Sequence, residues 1–166
     1  MLRLLLLTLA LLLAGCDSRP QFVNTDISEA GYARDFALTD HNGKPRTMAD
    51  FRGKAVVIFF GYTQCPDVCP TTMTGMAEAL KLLGGDAAKV QVLFVTVDPE
   101  RDTQQLLAQY VPVFNPSFLG LYADAQTIAR TAQEFRVFYK KQPGSTPTTY
   151  TVDHSAGTYL FDGSGR

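Results

Sequence analysis

The chain has 166 residues, of which 46% are hydrophobic and 19% charged, and its formal net charge is −1. No basic block is present that could follow a phosphate backbone, which argues against nucleic acid as a partner. With an N-terminal leader set aside, about 150 residues remain, enough for one core and too few for two comfortable domains.

Met1, Leu2 and Arg3 precede an apolar run over residues 4–13, and "LAGC" ends at Cys16. A basic start, an apolar centre of about ten residues and a small-residue end predict an export leader over residues 1–15, since a bilayer-spanning helix needs about twice that length. "LAGC" resembles a bacterial lipobox, which implies cleavage ahead of Cys16, lipidation of its sulfur and an outward-facing chain tethered to a membrane. Asp17 resembles the signal that retains lipoproteins of Gram-negative bacteria on the inner membrane. The expected location is therefore the bacterial cell envelope, at the periplasmic face of the inner membrane. The alternative is an ordinary leader in which Cys16 is incidental. Residues 17–34 are polar and aperiodic, so residues 16–34 read as anchor and tether, and the folded domain is expected from about Asp35 to Arg166.

"FALTDHNGKPRTMADFRGK" reads as a β-hairpin turning at His41, Asn42 and Gly43, followed by a short helical turn from Thr47. Residues 55–60 form a continuous apolar and β-branched run, as expected of a central strand buried on both faces. Pro70 suits a helix start, with Met73, Met76, Ala77, Leu80 and Leu83 on one face and Gly84 and Gly85 at the end. Residues 90–97 predict a second buried strand, and Thr103 opens a helix carrying Leu106, Leu107 and Tyr110. Residues 118–122 predict a third strand, and Asp124 caps a helix with Ile128, Ala129, Ala132 and Phe135 inward. A turn-rich loop over residues 140–149 separates two extended pieces, and a last strand is expected over residues 158–161. Alternating strands and helices imply an α/β fold with right-handed crossovers and a largely parallel sheet.

"GYTQCPDVCPTTM", residues 61–73, carries the only cysteines besides Cys16. A disulfide closing so small a loop constrains the unfolded chain weakly, so a purely structural bridge is a poor use of Cys65 and Cys69. Cys69, just ahead of Pro70, is expected at a helix N-terminus, with its thiol pKa below the free value of about 8.5. Three intervening residues permit both sulfurs to face one ion, and they equally permit a disulfide. Two histidines could add a ligand. His41 reads as a solvated turn residue, whereas His154, in "VDHSAG", lies in a loop ahead of a strand, where α/β sites are often built. Two thiolates and an imidazole suit Cu(I), can hold Cu(II), and could hold Zn(II) with a water. Met73 and Met76 lie at helical spacing and read as core.

A cysteine pair at a strand-to-helix junction narrows the fold to something thioredoxin-like. "GYTQCPDVCPTTM", "VTVDPERDT" at residues 95–103 and "YTVDHSAGTYLFD" at residues 150–162 together resemble the Sco/SenC family of copper-binding assembly factors for cytochrome c oxidase. The resemblance implies a thioredoxin-like α/β domain, with a central mixed sheet flanked by helices and an N-terminal β-hairpin. It implies one copper ion, Cu(I) or Cu(II), held by Cys65, Cys69 and His154. Asp98, Asp102 and Asp153 fall in family motifs, Asp98 as an influence on site electrostatics and Asp102 as a cap of the following helix. The implied role is a membrane-tethered metallochaperone serving cytochrome c oxidase subunit II, with other copper carriers or thiol reductants as further partners. The competing reading is a thiol:disulfide oxidoreductase using Cys65 and Cys69 alone. Relatives continue past "FDGSGR" through a strand and a terminal helix, so these are expected to be missing here, leaving one side of the sheet uncovered and apolar surface exposed.

Overall fold

A computed structural model describes residues 23–146 and 149–166. The leader and the proposed lipidation at Cys16 lie outside the described residues. Residues 23–30 include a short turn in which the Ala30 amide donates to the Ile27 carbonyl at 2.9 Å. The compact body spans Gly31–Arg166. Ala33 is buried in it and its amide donates to the Glu134 carbonyl at 2.8 Å, so ordered contacts precede Asp35. No helix among the described residues is long and apolar enough to cross a membrane.

Strands β1 (Leu38–Asp40) and β2 (Pro45–Arg46) form the expected hairpin. Its turn is organised by Asp40, whose carboxylate accepts from the amides of Asn42 and Lys44 and from Arg46 Nε. The chain continues through β3 (Ala55–Gly61), α1 (Val68–Leu83), β4 (Val90–Thr96), α2 (Gln104–Phe114), β5 (Leu119–Tyr122) and α3 (Ala125–Glu134). It ends with β6 (Tyr139–Gln142), β7 (Thr151–His154) and β8 (Thr158–Phe161). Six strands form one mixed sheet in the order β2-β1-β5-β4-β3-β8. The parallel character expected from the strand–helix alternation is confined to β3, β4 and β5, and antiparallel strands flank them on both sides.

The residues of β3 and β4 explain why this sheet is the core. Ile58, Phe59, Phe60, Val92, Leu93 and Phe94 are fully buried, and β3 pairs with β4 in register over its whole length. Helix α2 lies directly on β5, because a Cβ at Gly120 would stand 2.9 Å from Val111 Cγ2 and 3.2 Å from Leu107 Cβ. Thr103 and Asp124 cap α2 and α3 as expected, accepting from the amides of Leu106 and Thr127.

Four local expectations are corrected. Helix α1 begins at Val68, ahead of Pro70, because the first helical turn needs no donor from Pro70 in the ladder. Leu83 is exposed, since it borders an open apolar groove where the chain leaves α1 for a 3-10 turn over Gly84–Lys89. On α3 the inner face holds Ile128, Thr131 and Ala132, and Ala129 points outward; Thr131 hides its hydroxyl by donating to the Thr127 carbonyl. His41 is buried, not solvated: its Nδ1 accepts from the Gly120 amide at 3.0 Å, and burial lowers its pKa.

A groove of about 430 Å³ runs between α1 and the β4-β3-β8 face, lined by residues including Ala55, Val57, Met76, Ala79 and Leu160. Leu83 and Leu160, which line it, are exposed.

Candidate metal centre

Strand β3 ends at Gly61, and the chain then turns, the Cys65 amide donating to the Tyr62 carbonyl at 3.2 Å. Cys69 falls in the first turn of α1 and is fully buried, whereas Cys65 stays in the loop at 9% exposure. Gly61 makes room for the inner sulfur, since a Cβ there would stand 2.8 Å from Cys69 Sγ and 2.9 Å from Phe94. His154 arrives from the far end of the chain as the last residue of β7, not from a loop as expected, and its Nε2 lies 3.4 Å from Cys69 Sγ.

The helix N-terminus acts on a different sulfur from the one expected. The Cys69 amide is directed at Cys65 Sγ at 3.4 Å, so the dipolar end of α1 faces Cys65. Cys69 itself is buried beneath the first turn, and burial pushes its thiol pKa up, reinforced by its hydrogen bond with Cys65. The expected lowering at Cys69 is therefore corrected: desolvation against the β3–β4 aromatic core outweighs the helix dipole.

The imidazole is oriented before any ion arrives. Nδ1 lies 3.0 Å from the Ser155 carbonyl, which can only accept, so Nδ1 carries the proton and Nε2 presents a lone pair towards the sulfurs. The rings of Phe59 and Tyr62 meet the imidazole edge-to-face at 6.0 and 5.9 Å. Tyr62 is buried, and its hydroxyl accepts from the Val152 amide at 3.2 Å, joining β7 to the end of β3. Burial raises the Tyr62 pKa, so the hydroxyl stays neutral.

The three acidic residues separate. Asp102 is buried, and its carboxylate accepts from the Thr63 amide, the Thr63 hydroxyl and the Thr96 hydroxyl. It fastens the cysteine loop to β4 and does not cap α2, a task that Thr103 performs; burial raises its pKa despite those bonds. Asp98 is also buried, between Arg101 and Tyr150. Asp153 is exposed and accepts from Gln142 across the β6–β7 pair. Tyr62, Thr63, Arg101 and Tyr150 were in the quoted motifs or beside them, but only the folded chain shows them framing the site.

The ligand atoms of Cys65, Cys69 and His154 all lie within 4.8 Å of one another. Three donors sharing an ion at about 2.0–2.3 Å each in a trigonal set stand about 3.5–4.0 Å apart, so closure of the widest pair by about 1 Å would seat one. The cysteines are unbridged, and Cys65, with Pro66, Val68 and the β7 residues, lines an open cleft of about 540 Å³, whereas Cys69 is fully buried. Two sulfurs and a tautomer-fixed imidazole nitrogen form a soft set, and the adjacent thiols also permit disulfide exchange.

Comparisons with known proteins meet this geometry. A family model described as SCO1/SenC matches residues 24–166. The SCO2 homolog of Bos taurus mitochondria is 43% identical over 133 residues, covering 79% of this chain and 50% of that protein. The chain thus spans about half the length of the curated relatives it first matches. Among solved structures, copper-bound ScoI of Bradyrhizobium japonicum is 46% identical with a TM-score of 0.75, covering 80% of this chain and 83% of the other. Copper-bound Sco1 of yeast is 34% identical with a TM-score of 0.72, covering 80% and 74%. The α/β mixed sheet with its flanking helices is the thioredoxin-like fold of these structures. With the match running through the sheet, the cysteine loop and the His154 strand, the chain belongs to the SCO1/SenC family.

Proposed function

We propose that the protein carries one copper ion on Cys65, Cys69 and His154 and hands it to the copper centre of cytochrome c oxidase during assembly. The observation that carries this reading is the convergence of two sulfurs and an imidazole nitrogen, separated by 85 residues of chain between Cys69 and His154, within 4.8 Å. Copper in two relatives of this family supports the choice of ion. Thiolates favour Cu(I), and the imidazole extends the set to Cu(II). Transfer proceeds by ligand exchange at the open cleft, donors of the recipient replacing those of this chain one at a time. In this reading the recipient is subunit II, the copper comes from another carrier, and a lipid on Cys16 keeps the protein at the periplasmic face of the inner membrane.

His154→Ala tests the ligand set. The variant is expected to fold, because the imidazole contributes little core area, and to lose Cu(II) binding by at least about tenfold, as removal of a coordinating group outweighs removal of an outer partner. Equal Cu(I) and Cu(II) binding and delivery by a folded His154→Ala variant would overturn the reading.

A second reading is favoured by the Cys69 amide directed at Cys65 Sγ, which places a donor where a thiolate would form. Cys65 would attack a disulfide of the target, and Cys69 would resolve the mixed disulfide. The target leaves with two thiols, and Cys65 and Cys69 are oxidised to a disulfide, for re-reduction by a thiol reductant. Reductase activity that survives both metal removal and His154→Ala would favour this reading over copper carriage.

A further inference from the structure

The histidine reaches the site on an element of its own. Strands β6 and β7 form a separate two-stranded sheet, with no ladder to the six-stranded one. What fixes this hairpin to the body is therefore side-chain chemistry: the Tyr62 hydroxyl accepts from the Val152 amide, Lys141 pairs with Glu100, and one guanidinium links three segments at once. Arg101 Nε donates to Asp98 Oδ2 at 2.5 Å, and Nη1 donates both to Gln64 Oε1 at 3.1 Å and to the Tyr150 carbonyl at 2.9 Å. Its central carbon lies 3.6 Å from the centre of the Tyr150 ring and 5.7 Å from that of Tyr62. The Tyr150 hydroxyl donates to the other Asp98 oxygen at 2.7 Å, closing the cycle.

The chain positions of these partners matter. Gln64 immediately precedes Cys65, Tyr150 immediately precedes β7, and Asp98 follows β4. One side chain thus touches the cysteine loop, the histidine strand and the body. It does so largely out of water: the Arg101 side chain is 13% exposed and Asp98 is fully buried. Arg101 Nη2 is buried without a hydrogen-bond partner among the described residues, where the guanidinium lies against the aromatic rings. Burying a charge in this way is poor evidence of stabilisation, and its best-attested use is to specify one arrangement. Lysine could not replace it, since a single ammonium cannot span three acceptors and stack on a ring.

We propose that Arg101 is a positioning residue for the copper site, holding the His154 hairpin against the cysteine loop so that Nε2 stays within reach of the sulfurs. This rests on the copper-carrying reading for its purpose, though not for its mechanics.

The test compares the parent full-length chain with Arg101→Lys, His154→Ala and the double variant. In metal-free protein, nitrogen NMR of the His154 ring should show a single Nδ1–H tautomer in the parent, and mixed tautomers with faster Nδ1–H exchange in Arg101→Lys. On copper addition, Arg101→Lys should weaken Cu(II) binding ~10–100-fold, in the range of outer-shell metal-site variants, and erase the nitrogen coupling in the Cu(II) electron paramagnetic resonance spectrum. Cu(I) affinity, carried by the two sulfurs, should move less than about threefold. In the His154→Ala background, Arg101→Lys should change Cu(II) affinity by less than about threefold, because the residue it positions is gone. An unchanged His154 ring in Arg101→Lys overturns the proposal, as does an undiminished effect in the double variant. If the parent takes up no copper while the metal-free ring still loosens, the clamp stands and the copper reading fails. Should Arg101→Lys lose its fold, Tyr150→Phe, which removes only the hydroxyl bond to Asp98, is expected to loosen the ring in the same direction; an unchanged ring there also overturns the clamp.

Discussion

The two halves of the site are built by different physics. The cysteine half belongs to the core: Cys69 lies fully buried under the first turn of α1, against Gly61 and the β3–β4 aromatics. The histidine half is an appended hairpin, whose β6–β7 ladder pairs only with itself and whose attachments are polar side chains and ring edges. A buried thiol is held by close packing, which tolerates no displacement of its neighbours. A strand held by a few hydrogen bonds can be loosened without disturbing the core. Such a division leaves one donor able to move, which suits the release step of the copper carriage we propose.

Perturbing the core half should have the largest effect. In Gly61→Ala the new methyl would stand 2.8 Å from Cys69 Sγ and 2.9 Å from a Phe94 ring carbon, with no flexible side-chain end to yield. We expect a loss of about 1–3 kcal/mol in stability by denaturant unfolding, together with weakened copper binding in both oxidation states. Retention of both would mean that the packing around Cys69 is looser than described.

The buried thiol also sets a pH dependence. Its folded pKa is raised by burial, whereas the unfolded chain releases the proton near about 8.5. Above that value the unfolded state binds fewer protons than the folded one, so the stability of the metal-free protein should fall as pH rises. Below it the contribution is fully present. One proton corresponds to a slope of about 1.4 kcal/mol per pH unit. Cys69→Ala should flatten this slope between about pH 8.5 and 10, a window that ends where unfolded tyrosines begin to titrate. A slope unaltered by the substitution would place the titration elsewhere.

The smallest effect is expected in the histidine half. Tyr62→Phe removes the acceptor of the Val152 amide and leaves the ring that meets His154. Global stability should drop by about 1 kcal/mol. Hydrogen exchange should accelerate at Val152 and its β7 neighbours while the β3 and β4 amides stay protected; uniform acceleration would show the hairpin and core to be one cooperative unit.

Much of this was legible in the chain. The apolar runs ending at β3 and β4 announced buried strands, and Thr103 and Asp124 announced two helix starts, because these signals are local. The pair Cys65 and Cys69 was visible from spacing. His154 was singled out through the family resemblance, and the folded chain brings it to 3.4 Å from Cys69. What misled was environment: Cys69 was expected to feel the helix dipole, and His41 to face water. Neither expectation could be corrected without knowing what packs on each side chain, since desolvation depends on neighbours distant in sequence.

The sequence by itself determined the α/β alternation, the cysteine loop at a strand-to-helix junction and the soft donor types, all of which follow from periodicity, turn chemistry and residue identity. Only the tertiary structure decided which sulfur the α1 amides face, which imidazole nitrogen is free, and how the β6–β7 hairpin is fastened. The reason is that hydrogen-bond partners such as Ser155 for His154, Cys69 for Cys65 and Arg101 for Tyr150 are set by angles and distances, whereas hydrophobic pattern specifies only which face turns inward.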